Sequence, residues 1–177
     1  MMKNEKIVLI SGTPGTGKTE IAKKIAKHYG YEYIHIGEHA EYVTAEKEVK
    51  IIDVEKMIEW LKKKQDNTER GLVIDSHLSH YYPAERTKIC IITRCDPAEL
   101  KIRLKDRGYP ERKRKINLEA EAMDLILQEA LAEGHKVHEV DTTNKTSSVA
   151  VKEAIEALDS GNTSYGKLDY SYYLIKR

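Results

Sequence analysis

The densest chemistry in the chain lies near its start. Gly12-Thr13-Pro14-Gly15-Thr16-Gly17-Lys18-Thr19 fits G-x-x-x-x-G-K-[ST] in full. A loop of this kind turns successive backbone N–H groups inward, and the positive end of the helix that follows adds to them. Together they make a nest for a polyphosphate. Gly12, Gly15 and Gly17 supply backbone angles that other residues resist. Lys18 would reach the outer phosphates, and the Thr19 hydroxyl would hold Mg²⁺. A chance glycine turn before a helix is the competing reading. The apolar strand before the loop and the helix after it are the context the motif requires.

Downstream candidates fit the same chemistry. Asp75 closes an apolar run, where phosphate-loop folds place a carboxylate that holds Mg²⁺ directly or through water. Otherwise it is an acidic residue that starts a turn. His77 follows in Asp75-Ser76-His77 and would stand near the γ-phosphate. It either orients an attacking water or is a loop histidine bonded to backbone. Arg103 and Arg107 are four apart and share a helix face. Phosphoryl transfer spreads charge over equatorial oxygens, which favours cations there; exposed helix charges are the alternative. The run Arg112-Lys113-Arg114-Lys115 leads into a helix, where cations oppose the dipole. It fits an external anion, nucleotide or RNA, or else a solvated surface. His28, His35, His39, His80, His135 and His138 show no zinc spacing. Cys90 reads as a small core residue, and Cys95 has no evident partner.

The elements that must position these groups follow from hydrophobic pattern. Ile7–Ser11 is an apolar, β-branched run and reads as a strand. Ile21, Ala22, Ile25, Ala26 and Tyr29 recur at helical spacing, with Gly30 as a stop. Residues 31–36 alternate as a second strand. The polar stretch from Gly37 to Lys50 reads as an excursion from the core. Asp53 caps a helix carrying Val54, Met57, Ile58 and Leu61. Residues 71–75 and 88–93 are apolar on both faces, as buried parallel strands are. Asp96-Pro97-Ala98-Glu99 opens a helix that stops at Gly108. After the basic run, one helix places Met123, Ile126, Leu127, Ala130 and Leu131 on one face. Residues 136–140 form a fifth strand. A last helix buries Val151, Ala154, Ile155 and Leu158 and stops at Gly161. The tail, 162–177, is polar and then tyrosine-rich, and either packs on the core or serves a partner. Strands alternating with helices imply a three-layer α/β fold with a five-stranded parallel sheet and ligands at the strands' carboxyl ends.

Bulk composition bounds the rest. At 177 residues, one domain is expected. Charged residues reach 33%, above the usual quarter or so, which suits a thermophile. The net charge of +1 excludes a molecule that binds nucleic acid through its overall field. Two cysteines close in sequence and no apolar run of membrane-spanning length point to a cytoplasmic protein without a membrane role.

Gly12-Thr13-Pro14-Gly15-Thr16-Gly17-Lys18-Thr19, Asp75-Ser76-His77 and Arg107-Gly108-Tyr109, in that order, resemble the adenylate kinase isoenzyme 6 family. The resemblance runs at least from Lys6 to Leu158 and points to an archaeal member. Members are atypical adenylate kinases with ATPase activity that act in small-ribosomal-subunit maturation. The resemblance implies a P-loop core of the nucleoside monophosphate kinase type, a monophosphate-binding segment at about 35–54 and a lid at about 106–116. It also implies that Gly15, Gly17, Lys18, Thr19 and Glu20 line the ATP phosphates, that Arg107 contacts ATP, and that the loop at Asn144 lies by the adenine. The implied partners are a small-subunit ribosomal protein of the uS11 type and ribosomal RNA. In one respect the chain departs from the family. Members often carry arginine after Gly-x-x-Ala to grip the AMP phosphate, whereas Gly37-Glu38-His39-Ala40 is followed here by Glu41.

The expected enzyme binds ATP through Gly12, Gly15, Thr16, Gly17, Lys18, Thr19, Glu20, Arg103, Arg107 and Asn144. Its chemistry rests on Lys18, Asp75, His77 and Arg107, with Mg²⁺ at Thr19 and Asp75. The expected reaction is ATP plus AMP giving two ADP, with ATP hydrolysis beside it. The alternatives are an ATPase assembly factor, a small-metabolite kinase of the same fold and a nucleotide-gated binding module.

Overall fold

The computed structural model describes residues 6–39, 41–46 and 49–175. Its chain order is β1 (Ile7–Ser11), α1 (Lys18–Tyr29), β2 (Glu32–His35), β3 (Val43–Glu46), β4 (Val49–Ile52), α2 (Val54–Asp66) and β5 (Leu72–Asp75). There follow β6 (Ile89–Arg94), α3 (Pro97–Asp106), α4 (Glu111–Ala122), α5 (Leu125–Ala132), β7 (Val137–Asp141), α6 (Ser147–Ser160) and α7 (Tyr172–Ile175). The main sheet is five-stranded and all parallel, in the order β2-β5-β1-β6-β7. β1 is central, so the loop that leaves it opens at the middle of the sheet's carboxyl edge.

Alternation along β1 explains the three layers. Ile7 and Leu9 face a cluster with Met57 and Leu61 of α2 and Leu127 and Ala130 of α5. Val8 and Ile10 face the opposite cluster, with Ile21 and Ile25 of α1 and Ala150, Ala154 and Leu158 of α6. A strand covered on both sides reads as a near-continuous apolar run: Ile7 to Ile10 are apolar, and all five residues of β1 are buried, the terminal Ser11 with its hydroxyl paired to His80. Ile21 and Ile25 are wholly buried, each contributing about 1.5–3 kcal/mol to holding α1 on the sheet.

The caps follow the sequence. The Asp53 carboxylate accepts from the Lys56 N–H (3.1 Å), and Asp96 accepts from the Ala98 N–H (2.8 Å) with Pro97 at the first helical position. The polar excursion has structure of its own: a 3-10 turn at Ile36–Glu38, then an antiparallel hairpin of β3 and β4. Ala40, Lys47 and Glu48 of the expected monophosphate segment lie outside the described residues, as do 1–5, 176 and 177.

The expected single helix after the basic run is two. Asp124 takes the left-handed conformation (φ 55°) and separates α4 from α5. Aspartate tolerates this angle because its short polar side chain bonds locally; here it pairs with Arg94. The break turns the face, so Met123, expected in the core, is 60% exposed. Arg112–Lys115 do not precede a helix but form the first turns of α4. The tail packs on the body: Tyr170 is buried over the Arg94 guanidinium, and Tyr173 packs against Cys95, Leu100, Leu104 and Leu118. Both cysteines are buried and free.

Candidate active site

The glycine loop bridges the end of β1 to the start of α1, and two of its glycines are required by both angle and space. Gly12 sits at φ +139°, and a Cβ there would lie 2.5 Å from the Thr93 carbonyl. Gly15 sits at φ +93°, with Leu100 Cδ1 2.8 Å from the same added atom. Thr16 is wholly buried. Its hydroxyl donates to the Thr13 carbonyl (2.8 Å) and meets the Thr93 hydroxyl (2.6 Å), so its side chain braces the loop from below. The half-buried Lys18 donates from Nζ to the Thr13 carbonyl (2.9 Å). Burial pushes this ammonium down to about 8, against the pull of Asp75 and Glu121 and helped by the repulsion of Arg107.

Asp75, at the tip of β5, is wholly buried. Its Oδ2 accepts from the Thr19 hydroxyl (2.7 Å), the Tyr33 hydroxyl (2.9 Å) and His35 Nδ1 (3.2 Å). Its Oδ1 has no hydrogen-bond partner among the described residues. Burial opposes its charge, yet His35, Thr19 and the Lys18 ammonium hold the carboxyl below the usual range. A buried, ionised oxygen left open beside a threonine hydroxyl suits a hard cation held mostly by phosphate oxygens. No cluster of three or more His, Cys, Asp or Glu among the described residues offers an all-protein metal cage. The residues therefore fit Mg²⁺ carried in with a nucleotide.

Three cavities meet at the loop and share Gly15 and Arg107. One, of ≈370 Å³, runs past Gly17, Glu20, Arg103 and Thr142 towards Lys145 and Ser147. A second, ≈350 Å³, lies over Lys18, Thr19 and Lys23. The third, ≈380 Å³, opens on the other side of Lys18 and Thr19, with His35, Gly37, Ile52, His77 and Tyr109. Its cationic or ionisable nitrogen groups are Lys18, Arg107, His35 and His77; Glu41 is exposed on the turn before β3. Partial desolvation, then the Lys18 and His35 charges, push His77 below its ordinary value, while Asp75 pulls the other way.

Arg107 ends α3 just before Gly108 (φ +73°), and the Arg114 guanidinium ties the turn by donating to the Tyr109 carbonyl (2.6 Å). Arg103 is pinned to Glu99 (2.5 Å) and to the Thr142 carbonyl (2.8 Å), so it also braces the cavity wall. Glu20 sits on the rim and pairs with Lys24 (3.2 Å). Asn144 is exposed at φ 51°, with its N–H donating to Glu99 (2.7 Å); its neighbours Lys145, Thr146 and Ser147 line the cavity instead.

One part of this region has no signal in the sequence. Arg94, at the end of β6, is 1% exposed and pairs with Glu121 (2.8 Å), Glu139 (2.5 Å) and Asp124. Glu121 also accepts from the Thr13 hydroxyl (2.5 Å) and the Cys95 N–H (3.0 Å). Glu139 accepts from the Gly166 N–H (2.5 Å) of the tail. The phosphate loop, α4 and the tail are thus joined through one buried guanidinium. Ionic residues far apart in sequence carry no periodic pattern, so only the fold brings them together.

Comparison with known proteins bears on the fold and the family. A model of the AAA domain family matches residues 8–124. The fold is shared with deoxyadenosine kinase from M. mycoides with bound dATP (TM-score 0.60, 18% identity, 87% of this chain and 99% of that one). It is shared too with a gluconokinase from Sinorhizobium meliloti 1021 (TM-score 0.55, 14% identity, 99% and 100%). Among curated proteins, those named "Putative adenylate kinase" from Thermococcus onnurineus and Pyrococcus abyssi are each 38% identical over 172 residues, covering 93% of this chain and 91% of theirs. At that identity over nearly the whole length, the chain belongs to this archaeal adenylate kinase-like family of P-loop proteins.

Proposed function

We propose that this protein is an adenylate kinase, converting ATP and AMP to two ADP, with ATP hydrolysis as a second outcome. The carrying observation is that Lys18, Thr19, Gly15 and Arg107 line the cavities on both sides of the loop. A phosphoryl group passing between donor and acceptor would cross at these residues. ATP would lie along the first two cavities, its phosphates on the loop N–H groups. Mg²⁺, when bound, would supply charge neutralisation at the β- and γ-oxygens and would be held from the Thr19 and Asp75 side. Lys18 and Arg107 stabilise charge on the moving group, and positioning replaces a general base. The turn at Arg107–Pro110 with the start of α4 serves as the lid, and the segment from Ile36 to Ile52 as the acceptor side.

A specific observation favours hydrolysis as more than leakage. In the acceptor-side cavity the cations are Lys18 and Arg107, both shared with the donor, while the remaining basic groups are His35 and His77. An AMP phosphate would find no arginine of its own there among the described residues. His77 is mostly neutral at neutral pH and borders the same cavity, suited to orienting a water. The family resemblance extends the proposal to a cytoplasmic role in small-subunit maturation with a uS11-type protein and ribosomal RNA. The described residues include no helix long and apolar enough to cross a membrane.

The test is ADP formation from ATP with and without AMP, in wild type and His77→Ala. The variant should lose AMP-independent hydrolysis more than phosphotransfer. Equal losses would remove the water-orienting role, and ATP binding with neither activity in wild type would leave a binding module.

A further inference from the structure

Asp75 is held more elaborately than a metal-facing carboxylate on a strand tip requires. β2 pairs with β5 in a register that sets His35 beside Asp75 and Tyr33 beside Val73. Side chains two apart on a strand share a face. Both therefore reach the same carboxylate, and both donate to the same oxygen, Oδ2, as Thr19 does. The remaining oxygen, Oδ1, keeps its lone pairs uncommitted among the described residues. Neither Tyr33 nor His35 belongs to the glycine loop or to Asp75-Ser76-His77, and neither has a metal-ligand spacing.

We propose that Tyr33 and His35 are positioning residues that clamp Oδ2 of Asp75 and so hold Oδ1 towards the Mg²⁺ of the bound nucleotide. This rests on the reading that Asp75 serves a metal. An aspartate carboxylate can rotate about χ1 and χ2, and a single hydrogen bond leaves that rotation open. Three donors, two from β2 and one from the start of α1, fix both the rotamer and the plane of the carboxylate. Such outer contacts set metal affinity by about 10- to 100-fold in known sites. The Tyr33 phenol suits the task because its hydroxyl is a hydrogen-bond donor aimed at Oδ2. His35 has a second consequence. It is the last residue of β2, and the 3-10 turn of the acceptor-side segment starts at Ile36. Its ring also lines the acceptor-side cavity, with Nε2 3.3 Å from where a Cβ on Gly37 would stand. The clamp thus anchors the acceptor-side segment to the metal carboxylate.

The test measures Mn²⁺ binding to the protein·ADP complex by electron paramagnetic resonance, beside ADP binding in EDTA. Tyr33→Phe and His35→Ala should each weaken Mn²⁺ about tenfold, with metal-free ADP affinity unchanged in Tyr33→Phe, whose side chain does not line the acceptor-side cavity. His35→Asn places an amide N–H near the position of Nδ1 and should recover most of the loss. Asp75→Asn separates the two readings. If it leaves Mn²⁺ affinity intact, the metal role of Asp75 fails. If it weakens Mn²⁺ while Tyr33→Phe and His35→Ala do not, the clamp alone fails. An equal loss of metal-free ADP affinity in Tyr33→Phe would also overturn the inference, because it would report general damage to the loop.

Discussion

Lys18 offers a direct measurement of the site's electrostatics. Its ammonium is held at about 8 by burial, well below the ordinary 10.5. Only the charged form makes a full ion pair with the nucleotide phosphates. With that value, about nine-tenths of Lys18 is charged at pH 7 and about one-tenth at pH 9. Affinity for a non-hydrolysable ATP analogue should therefore fall about tenfold between these pH values, or about 1.4 kcal/mol. Isothermal titration at constant Mg²⁺ and ionic strength measures it, with circular dichroism confirming the fold at pH 9. Lys18→Arg provides the comparison, since a guanidinium stays charged throughout and should flatten the profile whatever its absolute affinity. A flat wild-type profile, or the same slope in Lys18→Arg, would refute the assignment. The sign for stability is the reverse of the usual lysine case. The folded value lies below the unfolded one, so the charged ammonium opposes folding. That penalty is fully present below pH 8 and fades as pH rises towards 10.5.

Three further substitutions probe the loop, the end of α1 and the buried guanidinium. Gly12→Ala forces an L-residue to φ +139° and its Cβ to 2.5 Å from the Thr93 carbonyl; it should cost about 2–4 kcal/mol in urea unfolding and remove nucleotide binding. Gly30→Ala, left-handed but with open space, should cost only about 1 kcal/mol. Arg94→Met leaves Glu121 and Glu139 buried without their countercharge and should lose about 3–5 kcal/mol in guanidinium unfolding. Adding Glu121→Gln and Glu139→Gln should recover part of that loss, and a single-variant loss under about 1 kcal/mol would show the hub to be dispensable.

The loop, the parallel order of layers and the helix caps were legible in the chain because each is written locally. Gly12 to Thr19 encodes its own turn. Apolar runs at Ile7–Ser11 and 71–75 declare strands buried on both faces, and Asp53, Asp96-Pro97 and Gly161 mark helix ends by their own hydrogen-bonding and backbone angles. The break at Asp124 was not legible, since its left-handed angle is accompanied by an ion pair with Arg94, thirty residues away. Nor was the β3–β4 hairpin, whose polar residues show no clear two-residue period.

The sequence by itself singled out the loop between β1 and α1 as the place where a polyphosphate is expected, with Lys18, Thr19, Asp75 and Arg107 as the residue types suited to meet it. Tertiary structure alone decided what surrounds them. Parallel pairing of β2 with β5 put Tyr33 and His35 on Asp75, and the bonds from Arg94 and the Cys95 N–H to Glu121 of α4 put its carboxylate under Thr13. The physical reason is range. Turn angles, capping bonds and amphipathic period act over a few residues, so their residues are neighbours in the chain. A buried charge needs partners wherever the fold supplies them, and those partners are set by strand order and helix packing.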